Sequence, residues 1–176
     1  MTLQRAFAIL IASIMFAYAP ADAMTLASPD FTNGDTIPVV FTFNGFGCTG
    51  QNHPPRLRWS DVPAGTKALA LTVWDPDAPT SVGWVHWTLF RIPPSARALN
   101  GAPTAPAVSG RNDFGTTGYG GPCPPSGDNP HHFIFTLDAL DSNLPLGKNS
   151  TYALYRFMRR GHVLASARLV GRYGRR

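Results

Sequence analysis

Apolar positions along this chain fall in short runs with a period near two, and seldom at helical spacing. "PVVFTF" (38–43), "LRW" (57–59), "KALALTVW" (67–74), "GWVHWTLFRI" (83–92), "HFIFTLDAL" (132–140) and "HVLASARLV" (162–170) are rich in β-branched and aromatic residues. Most are bounded by Pro, Gly, Asn or Asp, so each predicts a strand. "VPAGT" (62–66) and "IPPSA" (92–96) predict loops by the same logic. Alternation in "HFIFTLDA" places His132, Ile134, Thr136 and Asp138 on one face. His131, Phe133, Phe135 and Leu137 share the other, which is apolar and predicted to face the core. In "GWVHW" the same rule pairs Trp84 with His86 and sets Val85 with Trp87 on the opposite face.

One stretch, "NSTYALYRFMRRG" (149–161), has the helical pattern. Asn149, Ser150 or Thr151 can cap its start, and Tyr152, Tyr155, Phe157 and Met158 recur near helical spacing. Arg159 and Arg160 complement the C-terminal dipole, and Gly161 ends it. No internal repeat or long linker interrupts the rest. The expectation is a single, mainly β domain with one or two short helices near the C-terminus, whose topology the spacing does not settle.

The N-terminus differs in kind. Arg5 precedes the apolar run "AFAILIASIMFAYA", which is followed by "ADA" with Ala21 and Ala23 at the small-residue positions of a cleavage site. Residues 1–23 are therefore expected to be a secretory signal peptide and residues 24–176 the mature domain, exported to a periplasmic or secreted location. The apolar run is shorter than the roughly 20 residues of a spanning helix, and no later segment qualifies. Export allows the two cysteines, Cys48 and Cys123, to form a disulfide. Formal charge is +5, every acid is an aspartate, and arginines crowd the C-terminal end. In an exported chain this favours a solvated basic face or anionic ligands over nucleic acid.

Candidate chemistry lies in three places. "WDPDAP" (74–79) holds Asp75 and Asp77 between Pro76 and Pro79; alone it reads equally as a turn. "GWVHW" holds His86 beside two tryptophans, an arrangement that also suits a satisfied core histidine. "GYGGPCPPSGDNPHHF" (118–133) is too rich in Gly and Pro for a helix interior or central strand, and ends on His131 and His132. Adjacent histidines in a strand point to opposite faces, and His131, on the apolar face, is the better pocket candidate.

In the order "ALALTVWDPDAPTSVGWVHWTLFRIP … TTGYGGPCPPSGDNPHHFIFTLDALD … GHVLASARLVGRYGR", the chain resembles the phosphatidylethanolamine-binding protein family. Its nearer likeness is to the bacterial Raf kinase inhibitor-like branch, the YbhB/YbcL type. The resemblance implies a β-sandwich, with a large antiparallel sheet packed on a smaller one, and a shallow pocket for phosphate-like anions, including phospholipid head groups. It carries ligand-binding roles to Asp75, Asp77, Trp84, His86, the backbone amide of Cys123, His131 and the Phe133 position. It also places a cis peptide at Ala78–Pro79. On elementary grounds His86 and His131 can each donate to an anion. A loop amide adds a donor without charge. Asp75 fits as an acceptor that orients a histidine and favours its cationic form. Two departures stand out: Phe133 occupies a position where relatives often carry tyrosine, and the basic "GRYGRR" end replaces the pocket-lining segment of mammalian members.

Two other readings fit some of the same residues. His86, His131 and Asp75 could form a two-histidine, one-carboxylate metal triad, but no closely spaced histidine motif accompanies them. A hydrolase lacks a G-x-S-x-G elbow, and Ser126 is the only serine of the Gly/Pro loop. The expectation is thus a non-enzymatic binder with no metal or cofactor. The alternative is a surface-acting inhibitor or interaction module whose pocket is regulatory or vestigial.

Overall fold

A computed structural model describes residues 23–175. The expected signal peptide lies outside the described residues, apart from Ala23. Ten strands and one α-helix follow in the order β1 (Thr25–Ala27), β2 (Asn44–Gly45), β3 (Cys48–Thr49), β4 (Leu57–Ser60), β5 (Ala68–Asp75), β6 (Trp84–Ile92), β7 (Ala98–Leu99), β8 (Val108–Ser109), β9 (His131–Leu140), α1 (Tyr152–Met158) and β10 (Val163–Tyr173). The chain is therefore mainly β, as its patterning predicts. No helix among the described residues is long and apolar enough to cross a membrane.

β5 is almost wholly apolar because it is buried on both faces of the large sheet. That sheet runs β10-β9-β5-β6-β8, every pairing antiparallel. Leu69, Leu71 and Val73 of β5 join Phe133, Phe135 and Leu137 of β9 on its inner face. They meet Leu26, Leu57 and Trp59 from the smaller sheet, β1-β4-β7, so the main core is the filling of a sandwich. Trp59, buried with a polar edge, donates its indole N–H to the Ala96 carbonyl at 2.8 Å. On the outer face of the large sheet, Ala70, Phe90 and Leu140 pack under Tyr155, Leu144 and Leu146.

Two expectations about local structure give way. "PVVFTF" is not a strand: Val39–Phe41 form a 3₁₀ turn with Val39 and Val40 exposed. Pro38 fixes φ at −58°, and the Phe41 and Thr42 amides then donate back to the Pro38 and Val39 carbonyls. The Thr42 hydroxyl also donates to Val39, so local bonds outcompete a ladder. The Ala78–Pro79 bond is trans; the cis X–Pro bond among the described residues is Ala105–Pro106. A tight turn around Pro79 explains the correction, since the Thr80 N–H donates to the Ala78 carbonyl at 2.6 Å. That ring closes only when the carbonyl oxygen lies on the same side of the peptide as the next Cα, which is the trans arrangement.

α1 begins at Thr151, whose hydroxyl accepts the Leu154 N–H at 3.2 Å. Its tie to the sheet is polar. Asp138 of β9, buried on the outer face, accepts hydrogen bonds from the Tyr155 hydroxyl, the Ser166 hydroxyl and the Arg159 guanidinium, the last at 2.7 Å. Helix α1, β9 and β10 thus converge on one carboxylate. Removing it leaves Arg159 and two hydroxyls without their acceptor, so Asp138→Ala should cost about 3–5 kcal/mol in denaturant unfolding. An effect under about 1 kcal/mol would show that the network is not structural.

The remaining tie is covalent. Cys48 and Cys123 form a disulfide that closes a 75-residue separation, a constraint worth roughly 4 kcal/mol in the chain-entropy account. The protein should show no thiol to Ellman's reagent, native or unfolded. Two reactive thiols after unfolding would refute the bridge.

Candidate ligand-binding pocket

The large sheet ends unevenly. β5–β9 pairing stops at Trp74 opposite Ile134, while β5–β6 pairing continues to Asp75 opposite Trp84. β9 runs on beyond that point, paired with β10 as far as His131 opposite Tyr173. At this ragged edge Asp75, Trp84, His86 and His131 border one hollow of about 170 Å³. The inward alternation predicted for β9 holds: His131 is buried and His132 exposed.

Asp75 and His131 are each 3% exposed and hold one another. His131 donates its Nδ1–H to Asp75 Oδ2 at 2.7 Å, and Asp75 Oδ1 accepts the Asp77 backbone N–H at 2.8 Å. Both carboxylate oxygens are thereby occupied, and the imidazole is fixed with Nε2 as its remaining functional atom. Asp128 Oδ2 lies 3.4 Å from that nitrogen at the half-exposed rim.

Strict alternation along β6 fails at a β-bulge. Val73 opposes Trp87 and Trp74 opposes Val85, so His86 is the extra residue. Consequently His86 and Trp87 both serve the inner face: Trp87 enters the main core, and the His86 ring packs edge-on against Phe133 with centroids 5.0 Å apart. His86 Nδ1–H donates to the Gly120 carbonyl at 2.7 Å, and the Gly120 N–H donates back to the His86 carbonyl at 2.9 Å. Burial pushes the ring's pKa down to about 4, against the opposing effect of the Gly120 bond. His86 is therefore neutral at physiological pH, and with Nδ1 committed, its Nε2 is an acceptor. His86 thus offers an anion no N–H, contrary to the expectation that both histidines donate.

The Gly/Pro stretch forms the opposite wall. A side chain at Gly121 would collide with the Phe41 carbonyl, and one at Gly120 with the Phe114 ring, so close approach demands glycine at both. Asn52 accepts the Gly121 N–H at 2.7 Å through its side-chain carbonyl and donates to the Tyr119 carbonyl at 3.2 Å. Phe43 N–H donates to Pro122, Arg175 Nε to Pro124, and Gly127 N–H to the Arg175 carbonyl. The disulfide adds its link at Cys123. The Cys123 N–H itself donates to no acceptor among the described residues.

Placement of the other predicted residues is mixed. Pro79 and Trp84 line the hollow. Asp77 does not: its carboxylate faces outward and accepts from the His132 N–H and the His132 ring, both at 2.7 Å. Partial burial would raise the Asp77 carboxyl, but the His132 bonds outweigh it and hold the group below the usual carboxylate range. Phe133 is fully buried beneath His86 and supports that ring without lining the hollow. The proposed metal triad does not assemble as a ligand set, because Asp75 and His131 bond each other. No cluster of three or more His, Cys, Asp or Glu spaced to hold a metal occurs among the described residues.

Sequence reasoning missed an aromatic collar. Phe46 at the β2–β3 tip is 68% exposed, and Phe114 stacks between it and the edge of Trp84. Phe46 is legible in hindsight from "NGFGC", a glycine-flanked aromatic at a hairpin tip beside a cysteine; Phe114 carries no comparable local signal. Asp128 was within the loop already singled out, three residues before His131.

Known proteins resemble this chain over most of its length. Residues 27–174 match the phosphatidylethanolamine-binding protein family. The UPF0098 protein YbcL of Escherichia coli is 42% identical over 178 aligned positions, covering 93% of this chain and 97% of that protein. YbhB of the same organism is 40% identical over 158 positions, covering 85% of this chain and 99% of its own. The crystal structure of E. coli YbcL matches with a TM-score of 0.85 at 40% identity, over 88% of this chain and 100% of that one. A phosphatidylethanolamine-binding protein from Plasmodium vivax, 16% identical, shares the fold with a TM-score of 0.58 over 89% of this chain and 88% of its own. On sequence, fold and extent of match, the chain belongs to the phosphatidylethanolamine-binding protein family, as a relative of the bacterial YbcL and YbhB proteins.

Proposed function

We propose that this protein is an exported, non-enzymatic binder of small phosphate-bearing ligands, including phospholipid head groups. The observation that carries the reading is the Asp75–His131 pair, buried and mutually oriented, facing a hollow that Cys123 also lines, its N–H without a partner among the described residues. His131 donates its Nε2–H to one ligand oxygen, and the Cys123 N–H donates to another. Neutral His86 contributes differently, as an acceptor for a donor carried by the ligand. A hydrogen phosphate supplies a P–OH, and an ethanolamine head group supplies an ammonium N–H. The Phe46, Trp84 and Phe114 rings give the less polar part of such a ligand an apolar surface.

The reactive groups of the wall are already engaged, which supports binding without turnover. Cys123 sulfur is in the disulfide, and the Thr80 hydroxyl donates to the Gly83 carbonyl at 2.6 Å. The signal-like leader and the disulfide support export.

Two measurements test this. In calorimetry with inorganic phosphate and phosphoethanolamine, His131→Ala should weaken binding about tenfold or more, the loss of a charge-assisted bond. His132→Ala, which faces Asp77 outside the hollow, should change it by less than about twofold. Circular dichroism checks that both variants are folded; equal effects on binding would overturn the assignment. The second concerns pH. A ring whose pKa falls from 6.5 to about 4 on folding contributes fully above pH 6.5, and that contribution is lost as pH falls toward 4. Between pH 7 and 4.5 the wild type should lose roughly 2 kcal/mol more unfolding free energy than His86→Asn. Identical losses would show that His86 is not buried neutral.

A further inference from the structure

The outer face of the large sheet carries a feature that the pocket does not use. Leu154 and Phe157 stand three apart on α1 and so share one side of the helix. They are 43% and 70% exposed, while Tyr155 on the inner side is buried against Phe90. Arg156, Arg159 and Arg160 flank these apolar groups and border a shallow hollow between α1 and the start of β10; Arg168 of β10 lies in the adjoining one.

The charge balance is one-sided. Arg159 is offset by Asp138 at 2.7 Å. Arg156 bonds the Tyr152 hydroxyl at 3.0 Å and lies over its ring, neither of which neutralises it. Arg156, Arg160 and Arg168 pair with no carboxylate among the described residues, and the nearby Asp141 is engaged by His162 at 2.8 Å. A single exposed aromatic is ordinary on a protein surface. An aromatic and a leucine on one side of a helix, with two uncompensated guanidiniums on the same segment and a third on the adjoining strand, form the surface of an interfacial helix: apolar groups for the acyl boundary and fixed cations for acidic head groups.

We propose that α1 and the adjoining part of β10 dock on an anionic phospholipid bilayer, with Phe157 and Leu154 entering the interface and Arg156, Arg160 and Arg168 contacting lipid phosphates. This surface lies across the sheet from the ligand hollow and does not depend on His131.

Co-sedimentation of the mature protein with vesicles tests the proposal. Binding is expected to mixed phosphatidylcholine–phosphatidylglycerol vesicles, not to phosphatidylcholine alone, and should disappear near 1 M salt, where screening acts within about 3 Å. Neutralising Arg156, Arg160 and Arg168 to Gln together should weaken it by about 100-fold, at about fivefold per cation. Phe157→Ser, at an exposed site that leaves the core intact, should weaken it about tenfold. His131→Ala should leave it unchanged. Equal binding to neutral vesicles overturns the proposal, as does indifference to Phe157→Ser with full competition by soluble polyglutamate, which would indicate an acidic protein partner. Loss of vesicle binding in His131→Ala would move the lipid contact to the pocket, refuting this surface while sustaining the pocket reading. Vesicle binding that persists where the pocket takes up no phosphate does the reverse.

Discussion

A carboxylate buried at the end of a central strand must be satisfied from within the protein, and the pocket is organised around that requirement. Asp75 closes β5 where the sheet runs out of partners, and its two oxygens are met by one backbone amide and one imidazole. The amide comes from the turn that Pro76 initiates; the imidazole comes from β9, which overshoots β5 by the few residues needed to bring His131 alongside. An unpartnered carboxylate here would cost several kcal/mol. The same bond that stabilises the fold therefore sets the tautomer and aim of the histidine facing the hollow.

The opposite wall is held by a different means. The 118–130 stretch has no strand or helix to brace it, so it is fastened piecewise: Asn52, Phe43 and Arg175 bond its backbone, and Cys48 bridges to it. Proline removes amide donors that would otherwise need acceptors, and glycine allows backbone to pass directly over Phe41 and Phe114. The result leaves Cys123 at the hollow with an amide that has no acceptor among the described residues. The C-terminal arginine segment belongs to this bracing through Arg175. It therefore contributes to the pocket from behind, without lining it.

Histidine chemistry in the pocket is asymmetric because the two rings have different partners. His131 faces a carboxylate, whereas His86 faces a carbonyl and two phenyl rings. Burial, only partly opposed by the Gly120 bond and the Asp75 charge, keeps His86 neutral. A pair of similar rings from neighbouring parts of one sheet thus provides one donor and one acceptor. That combination favours a ligand carrying both anionic oxygens and a donor.

Local sequence determined the strands β4, β5, β6, β9 and β10, a helix capped within 149–151 and the inward turn of His131, because side-chain direction in a regular strand follows from parity alone. It also supplied the cysteine pair and the turn at the aspartate box. Tertiary structure decided what parity cannot express. The bulge in β6 brought His86 and Trp87 to one face, the trans bond at Pro79 followed from its tight turn, and Asp77 turned outward to His132. Phe46 and Phe114 entered the pocket from loops far apart in the chain, through contacts with no local period. The protonation of His86 belongs to the same class, since it depends on which groups surround the ring after folding, and burial is a property of the assembled sheets.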